Sequence, residues 1–106
     1  MVIRGEIWLA TLDPTVGSEI QKTRPCVITS PAEMHDYLRT VIVAPMTTGS
    51  RPAPFRIPVT FEGKKGRILL DQIRTLDRRR LAKRLGAVTP KTLSATLATL
   101  QVVFAT

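Results

Sequence analysis

The side chains able to hold or move charge in this 106-residue sequence are mostly arginines, hydroxyls and amides. Arg24 stands where a long loop meets a predicted strand, directly before Pro25. Thr47 and Thr48 close another predicted strand, where a second loop begins. A guanidinium offers a planar fork of donors that matches phosphate oxygens. A threonine adds a hydroxyl donor. Such groups are poorly suited to acyl chemistry. They hold a phosphodiester and stabilise charge on its oxygens while an RNA 2′-hydroxyl attacks. The competing reading of Arg24 is a surface salt-bridge former, and these residues alone leave both open.

Other chemistries fail on count or spacing. His35 is the only histidine, so a two-histidine ribonuclease mechanism is excluded, and it reads as a surface or helix-end residue. Cys26 is the only cysteine, which excludes an intramolecular disulfide and a cysteine-based zinc site. It falls in a predicted strand and reads as a small buried apolar residue rather than a nucleophile. Asp71 and Asp77 are too few to make a metal centre, and no glycine-rich phosphate loop is present. No metal and no cofactor is expected.

Charge is unevenly distributed. Residues 1–63 carry six basic and six acidic side chains, whereas residues 64–106 carry ten and two, and so the whole net charge of +8. The densest stretch, 64–84, contains Arg78, Arg79 and Arg80. That asymmetry points to a polyanionic partner, either nucleic acid or an acidic protein segment. The competing reading is a solvated face that keeps a small protein soluble. Only five aromatic residues are present, too few for a broad base-stacking platform.

The elements that must position these groups are short. Strands are predicted over 3–11, 24–29, 39–46, 55–61, 67–73 and 84–88. Over 55–61, strict alternation puts Phe55, Ile57, Val59 and Phe61 on one face. Loops fall at 12–23 and 47–54, and a turn at 62–66. The first loop is long for so small a domain, and long ordered loops are often functional. Ser30, Pro31 and Glu33 fit a capping box opening a short helix. Asp77 is placed to start one helical turn over 76–81. Thr89 and Pro90 start a C-terminal helix whose stripe is Leu93, Leu97, Leu100 and Phe104. That stripe must cover the sheet or meet a second copy. The expectation is one mainly β domain over residues 1–106, a small curved sheet or partly closed barrel with a C-terminal helix.

The blocks RGEIW, LDPTVGSE, TRPCVITSP, VAPMTT and LDQIRTLD, in that order, resemble the MazF/PemK family over nearly the whole chain. Members are the ribonuclease toxins (mRNA interferases) of bacterial type II toxin–antitoxin pairs. The resemblance implies an SH3-like, partly closed barrel of the MazF/CcdB kind that works as a homodimer. It implies sequence-specific, metal-independent cleavage of single-stranded RNA, with 2′-hydroxyl attack. The products are a 2′,3′-cyclic phosphate or 3′-phosphate and a 5′-hydroxyl. It also implies a MazE-like antitoxin whose acidic tail covers the RNA groove. Carried onto this sequence, the catalytic pair is Arg24 and Thr47. Thr48 adjoins it; Ser18, Glu19 and Lys22 lie in the first loop, Arg51 in the second, and Gln72 in the LDQ block, all as substrate-binding residues. Asp71 and Arg74 are read as holding the fold. In the PemK-like branch a histidine follows the loop glycine and an arginine precedes the LDQ aspartate by two residues. Ser18 and Leu69 stand at those positions, so the histidine-based arrangement is absent and Arg24–Thr47 remains.

Arginine stays protonated, so Arg24 is assigned to stabilising phosphate charge and is a poor general base. Glu19 is a candidate for that role. Two other readings are a gyrase-poison-type protein of the same fold, which acts through its C-terminal residues, and a non-catalytic RNA-binding barrel. The opening residues lack a signal-peptide pattern and no apolar run approaches the roughly 20 residues of a membrane span. A cytoplasmic location with no membrane partner is expected.

Overall fold

A computed structural model describes residues 1–106. Seven strands run in chain order: β1 (Glu6–Thr11), β2 (Thr23–Ile28), β3 (Thr40–Thr47), β4 (Arg56–Phe61), β5 (Lys64–Leu69), β6 (Arg74–Asp77) and β7 (Leu81–Ala87). Two helices join them, α1 (Ala32–His35) and α2 (Pro90–Val103). The sheet order is β4-β5-β3-β2-β1-β7, with β6 also paired to β3, and every pairing is antiparallel. The sheet curls until Phe61, at the end of one edge strand, lies against Gly86 of the other. The result is the expected partly closed barrel with a C-terminal helix.

β3 organises the sheet. Thr40–Val43 pair with β6, Val43–Pro45 with β2, and Met46–Thr47 with β5. Proline has no amide hydrogen, and Pro45 falls where β3 exchanges β6 for β5, so its missing donor interrupts neither ladder. Period-two alternation divides the apolar side chains into two clusters. Cys26, Ile28, Val41 and Val43 join Ala10, Leu12 and Leu76 on one side. Val27, Ala44 and Met46 join Ile7, Ile57, Ile68 and Leu70 on the other. Each large aliphatic residue buried this way contributes about 1.5–3 kcal/mol.

β4 and β5 form a tight hairpin. Phe61 pairs with Lys64, leaving a two-residue turn, Glu62 (φ 52°) and Gly63 (φ 75°). Two positive φ values define a type I′ turn, whose twist matches the flanking strands. The predicted turn over 62–66 is therefore shorter, and β5 begins at Lys64.

Several expectations are corrected. β1 begins at Glu6 because Gly5 (φ 89°) turns the chain under α2, where its bare Cα faces Leu93. β5 ends at Leu69; a 3-10 turn over Leu70–Gln72 separates it from β6. β7 starts at Leu81 rather than 84. Asp77 does cap a 3-10 turn (Arg78–Arg80), accepting from the Arg79 amide at 2.9 Å. Ser30 caps nothing, because its hydroxyl serves a tertiary network instead. His35 is buried, not a surface residue. Its Nδ1 donates to the Val2 carbonyl (2.8 Å), and its Nε2 accepts from Ser30 Oγ (2.6 Å), which in turn accepts from the Ile42 amide (3.0 Å). That chain gives every member a hydrogen-bond partner.

Helix α2 starts as predicted. Thr89 Oγ1 accepts from the Thr92 amide at 3.2 Å, and Pro90 occupies the first turn. Its most buried residue is Thr96, whose hydroxyl is satisfied by the Thr92 carbonyl (2.8 Å). Leu93, Leu97 and Leu100 are half-buried, and Phe104 is 71% exposed. The helix thus covers the sheet with one flank and leaves the end of its apolar stripe open.

Candidate active site

Antiparallel pairing of β2 and β3 brings the start of one strand beside the end of the other. Arg24 and Thr47, distant in sequence, therefore line one hollow of about 210 Å³, together with Thr48, Phe61, Glu62, Lys64 and Gly66. Arg24 is half-buried, and its Nε donates to the Gln21 carbonyl at 3.2 Å. That bond orients the fork while its terminal nitrogens carry no bond within the chain. Thr47 Oγ1 accepts from the Gly49 amide (3.3 Å), which leaves its hydroxyl hydrogen to donate. Gly66 makes the approach possible: a Cβ there would lie 2.7 Å from the Thr47 carbonyl oxygen. The hollow thus combines a guanidinium, an ammonium, two hydroxyls and one carboxylate. Such a set can bind a phosphodiester and stabilise charge developing on it.

A second hollow, of about 530 Å³, lies under the first loop. Ser18, Glu19, Gln72, Asp71 and Arg74 line it. Gln72 ties the loop down, with Oε1 accepting from the Ile20 amide (2.6 Å) and Nε2 donating to the Ser18 carbonyl (3.4 Å). Glu19 Oε1 accepts from the Val16 amide at 2.6 Å. Glu19 and Gln72 thus shape the loop, in a hollow whose lining does not include Arg24 or Thr47. Lys22 is exposed with φ 72°, and its carbonyl accepts from the Leu12 amide (2.9 Å), closing the loop. Arg51 is exposed and lines neither hollow.

The arginines of the basic segment hold both loops. Arg74 donates to the Leu12 carbonyl (3.1 Å), and Arg80 to those of Thr11 (3.2 Å) and Asp13 (2.7 Å). Arg67 donates to the Ser50 carbonyl of the second loop (2.8 Å). Arg56 grips Asp71 through two bonds of 3.1 and 2.9 Å, and this partner holds the Asp71 carboxyl below its ordinary range. Asp71 and Arg74 therefore do hold the fold. The charge of Arg67, Arg74 and Arg80 remains in the field around the sites, since a hydrogen bond to a carbonyl neutralises nothing.

Burial pushes the Cys26 thiol up to about 12, so it is not a nucleophile at neutral pH. Burial also pushes Glu6 up, but bonds from the Ile3 amide (2.8 Å), Arg84 (2.6 Å) and Trp8 (3.2 Å) outweigh it and leave the carboxyl lowered. No cluster of three or more His, Cys, Asp or Glu side chains is assembled to hold a metal ion. Sequence reasoning missed Phe61, Glu62, Lys64 and Gly66 in the hollow. The hairpin signal was present in Glu62-Gly63, but its position against the end of β3 depends on long-range register.

Residues 3–104 match the family of PemK-like, MazF-like toxins of type II toxin–antitoxin systems. The Escherichia coli endoribonuclease PemK is 43% identical, over 85% of this chain and 71% of its own. The Staphylococcus epidermidis endoribonuclease MazF is also 43% identical, over 80% and 76%. The crystal structure of MazF from Deinococcus radiodurans superimposes with a TM-score of 0.85 at 25% identity, covering 96% of this chain and 94% of that one. A mycobacterial endoribonuclease in complex with its cognate antitoxin shares the fold at 23% identity, with a TM-score of 0.81 and coverage of 96% and 93%. By sequence and by fold, this chain belongs to the PemK-like, MazF-like toxins of type II toxin–antitoxin systems.

Proposed function

We propose that the chain is an endoribonuclease toxin that cuts single-stranded RNA, acting as a single domain over residues 1–106. The observation that carries this reading is the meeting of Arg24 and Thr47 on one hollow. The guanidinium fork binds the scissile phosphate and stabilises its equatorial oxygens as the 2′-oxygen attacks. Thr47 and Thr48 donate hydroxyl hydrogens to the same group. The departing 5′-oxygen leaves a 2′,3′-cyclic phosphate. No step calls on a metal ion.

The first-loop hollow, with Ser18, Glu19 and Gln72, receives nucleotides flanking the cut, and Lys22 and Arg51 contact the RNA backbone. The partner protein is a MazE-like antitoxin whose acidic tail competes for the basic groove. The toxin acts in the cytoplasm as a homodimer. Support for self-association comes from Val102 on α2 and Phe104 just past its end, which are 74% and 71% exposed.

The test is cleavage of a long single-stranded RNA in EDTA, wild type beside Arg24→Ala, with both ends of each fragment mapped. Discrete cuts sharing a short motif, ending in cyclic phosphate and 5′-hydroxyl and absent with the variant, are expected. RNA binding without cutting, unchanged by Arg24→Ala, would favour the non-catalytic barrel.

A further inference from the structure

The mechanism above lacks a proton acceptor, since arginine stays protonated and threonine is a weak base. Three carboxylates line the two hollows, Glu19, Asp71 and Glu62, and Asp71 is held by Arg56. Glu19 is engaged by the Val16 amide at 2.6 Å and lines the first-loop hollow. Glu62 is the only carboxylate lining the hollow that contains Arg24 and Thr47. It belongs to none of the three ion pairs of the chain, Arg56–Asp71, Arg79–Asp77 and Arg84–Glu6.

The backbone supplies an independent observation. Only two non-glycine residues have positive φ, Lys22 and Glu62. Of the two, Glu62 lines the Arg24 hollow and Lys22 does not. The first central position of a type I′ turn favours asparagine, aspartate or glycine. A glutamate there is held against local preference, and strained residues that persist cluster at functional sites. Arg24 from β2 and Lys64 from β5 are the other charged groups lining that hollow.

The geometry points to Glu62 as the general base of RNA cleavage, an inference that rests on the ribonuclease reading above. Its carboxylate takes the 2′-hydroxyl proton. The freed electron pair on the 2′-oxygen forms the new bond to phosphorus. The phosphorus–5′-oxygen bond breaks, and the 5′-oxygen departs with that pair and takes a proton from water. Glu62 then returns its proton to solvent.

Glu62→Asn separates this role from a structural one, because asparagine followed by glycine suits the turn better than glutamate does. On an RNA carrying a mapped cleavage site, the variant is expected to unfold at the same or a higher temperature. Its kcat should fall about 100-fold or more, with KM little changed. The acidic limb of the kcat/KM pH profile should flatten, and Glu62→Asp should restore it in part. A substrate with sulfur in place of the bridging 5′-oxygen needs no proton on its leaving group, and it should not rescue Glu62→Asn. Activity within a few-fold of wild type with an unchanged pH profile, or full rescue by the sulfur substrate, would overturn the assignment. If Arg24→Ala is inactive in the same assay, the ribonuclease reading survives that result. If the wild-type chain cuts no RNA, both fall.

Discussion

The hollow containing Arg24 and Thr47 is walled by paired strands, whereas the one containing Ser18 and Glu19 is walled on one side by a loop. In the first, side chains leave backbones locked by the β2–β3 and β3–β5 ladders, with the two buried clusters behind them. In the second, Ser18 and Glu19 are exposed and the loop is held by hydrogen bonds from Gln72, Arg74 and Arg80. Chemistry needs a reacting geometry fixed to fractions of an ångström, and strands supply that. Choice of RNA sequence needs a shaped and adjustable wall, and a tethered loop supplies that. On the proposed reading the molecule separates rate from selectivity in space.

That division can be broken by experiment, beginning with the strand-built side. Arg24→Ala removes the phosphate fork and is expected to lower the single-turnover cleavage rate by about 10³-fold or more. Arg24→Lys keeps charge without the fork and should recover little. Next is Gly66→Ala. Its Cβ would sit 2.7 Å from the Thr47 carbonyl oxygen, so the end of β3 must move. We expect about 10² lost in rate, and about 1–3 kcal/mol lost in urea unfolding. Gln72→Ala frees the loop from its tether and should cost about tenfold, mostly in KM, with relaxed discrimination among cleavage motifs on a random RNA pool. If it costs as much as Arg24→Ala, the two hollows are not separate in function.

The smallest effect concerns neither hollow. Glu6 and Asp71 have lowered folded-state values against ordinary ones of 4.5 and 3.8. Their contribution is fully present above those unfolded values and is lost as pH falls through the lowered ones. Thermal unfolding should therefore be flat from neutral pH to about 5 and decline below it. Glu6→Gln should cost about 1 kcal/mol at neutral pH and flatten part of that decline, leaving neutral-pH cleavage unchanged.

Local signals in the sequence were read correctly where no distant group competed. Thr89-Pro90 and Asp77 cap what they were expected to cap. Ser30 failed because His35 and the Ile42 amide claim its hydroxyl, a tertiary demand invisible in a four-residue motif. The stripe covers the sheet through Leu93, Leu97 and Leu100 and leaves Phe104 open, while Thr96 lies off its pattern because a hydroxyl satisfied within its own helix packs like an apolar group. Arg24 and Thr47 were legible as residues through family resemblance, but not as neighbours through local pattern. Their meeting depends on a register between strands separated by α1, and Glu62 and Lys64 join them only through a second register, that of β5 on β3. The basic segment was read as a charged face, yet several of its arginines are also clamps on loop carbonyls.

β3 ends in Thr47 and is hydrogen-bonded along its length to β6, β2 and β5 in turn. Its central amides have no route to solvent that leaves the other strands in place, so their deuterium uptake should report only whole-molecule opening. The Arg24–Thr47 pair accordingly has no half-formed version. On the proposed reading, a nascent or damaged chain that has lost any one of those three neighbours is also a harmless one.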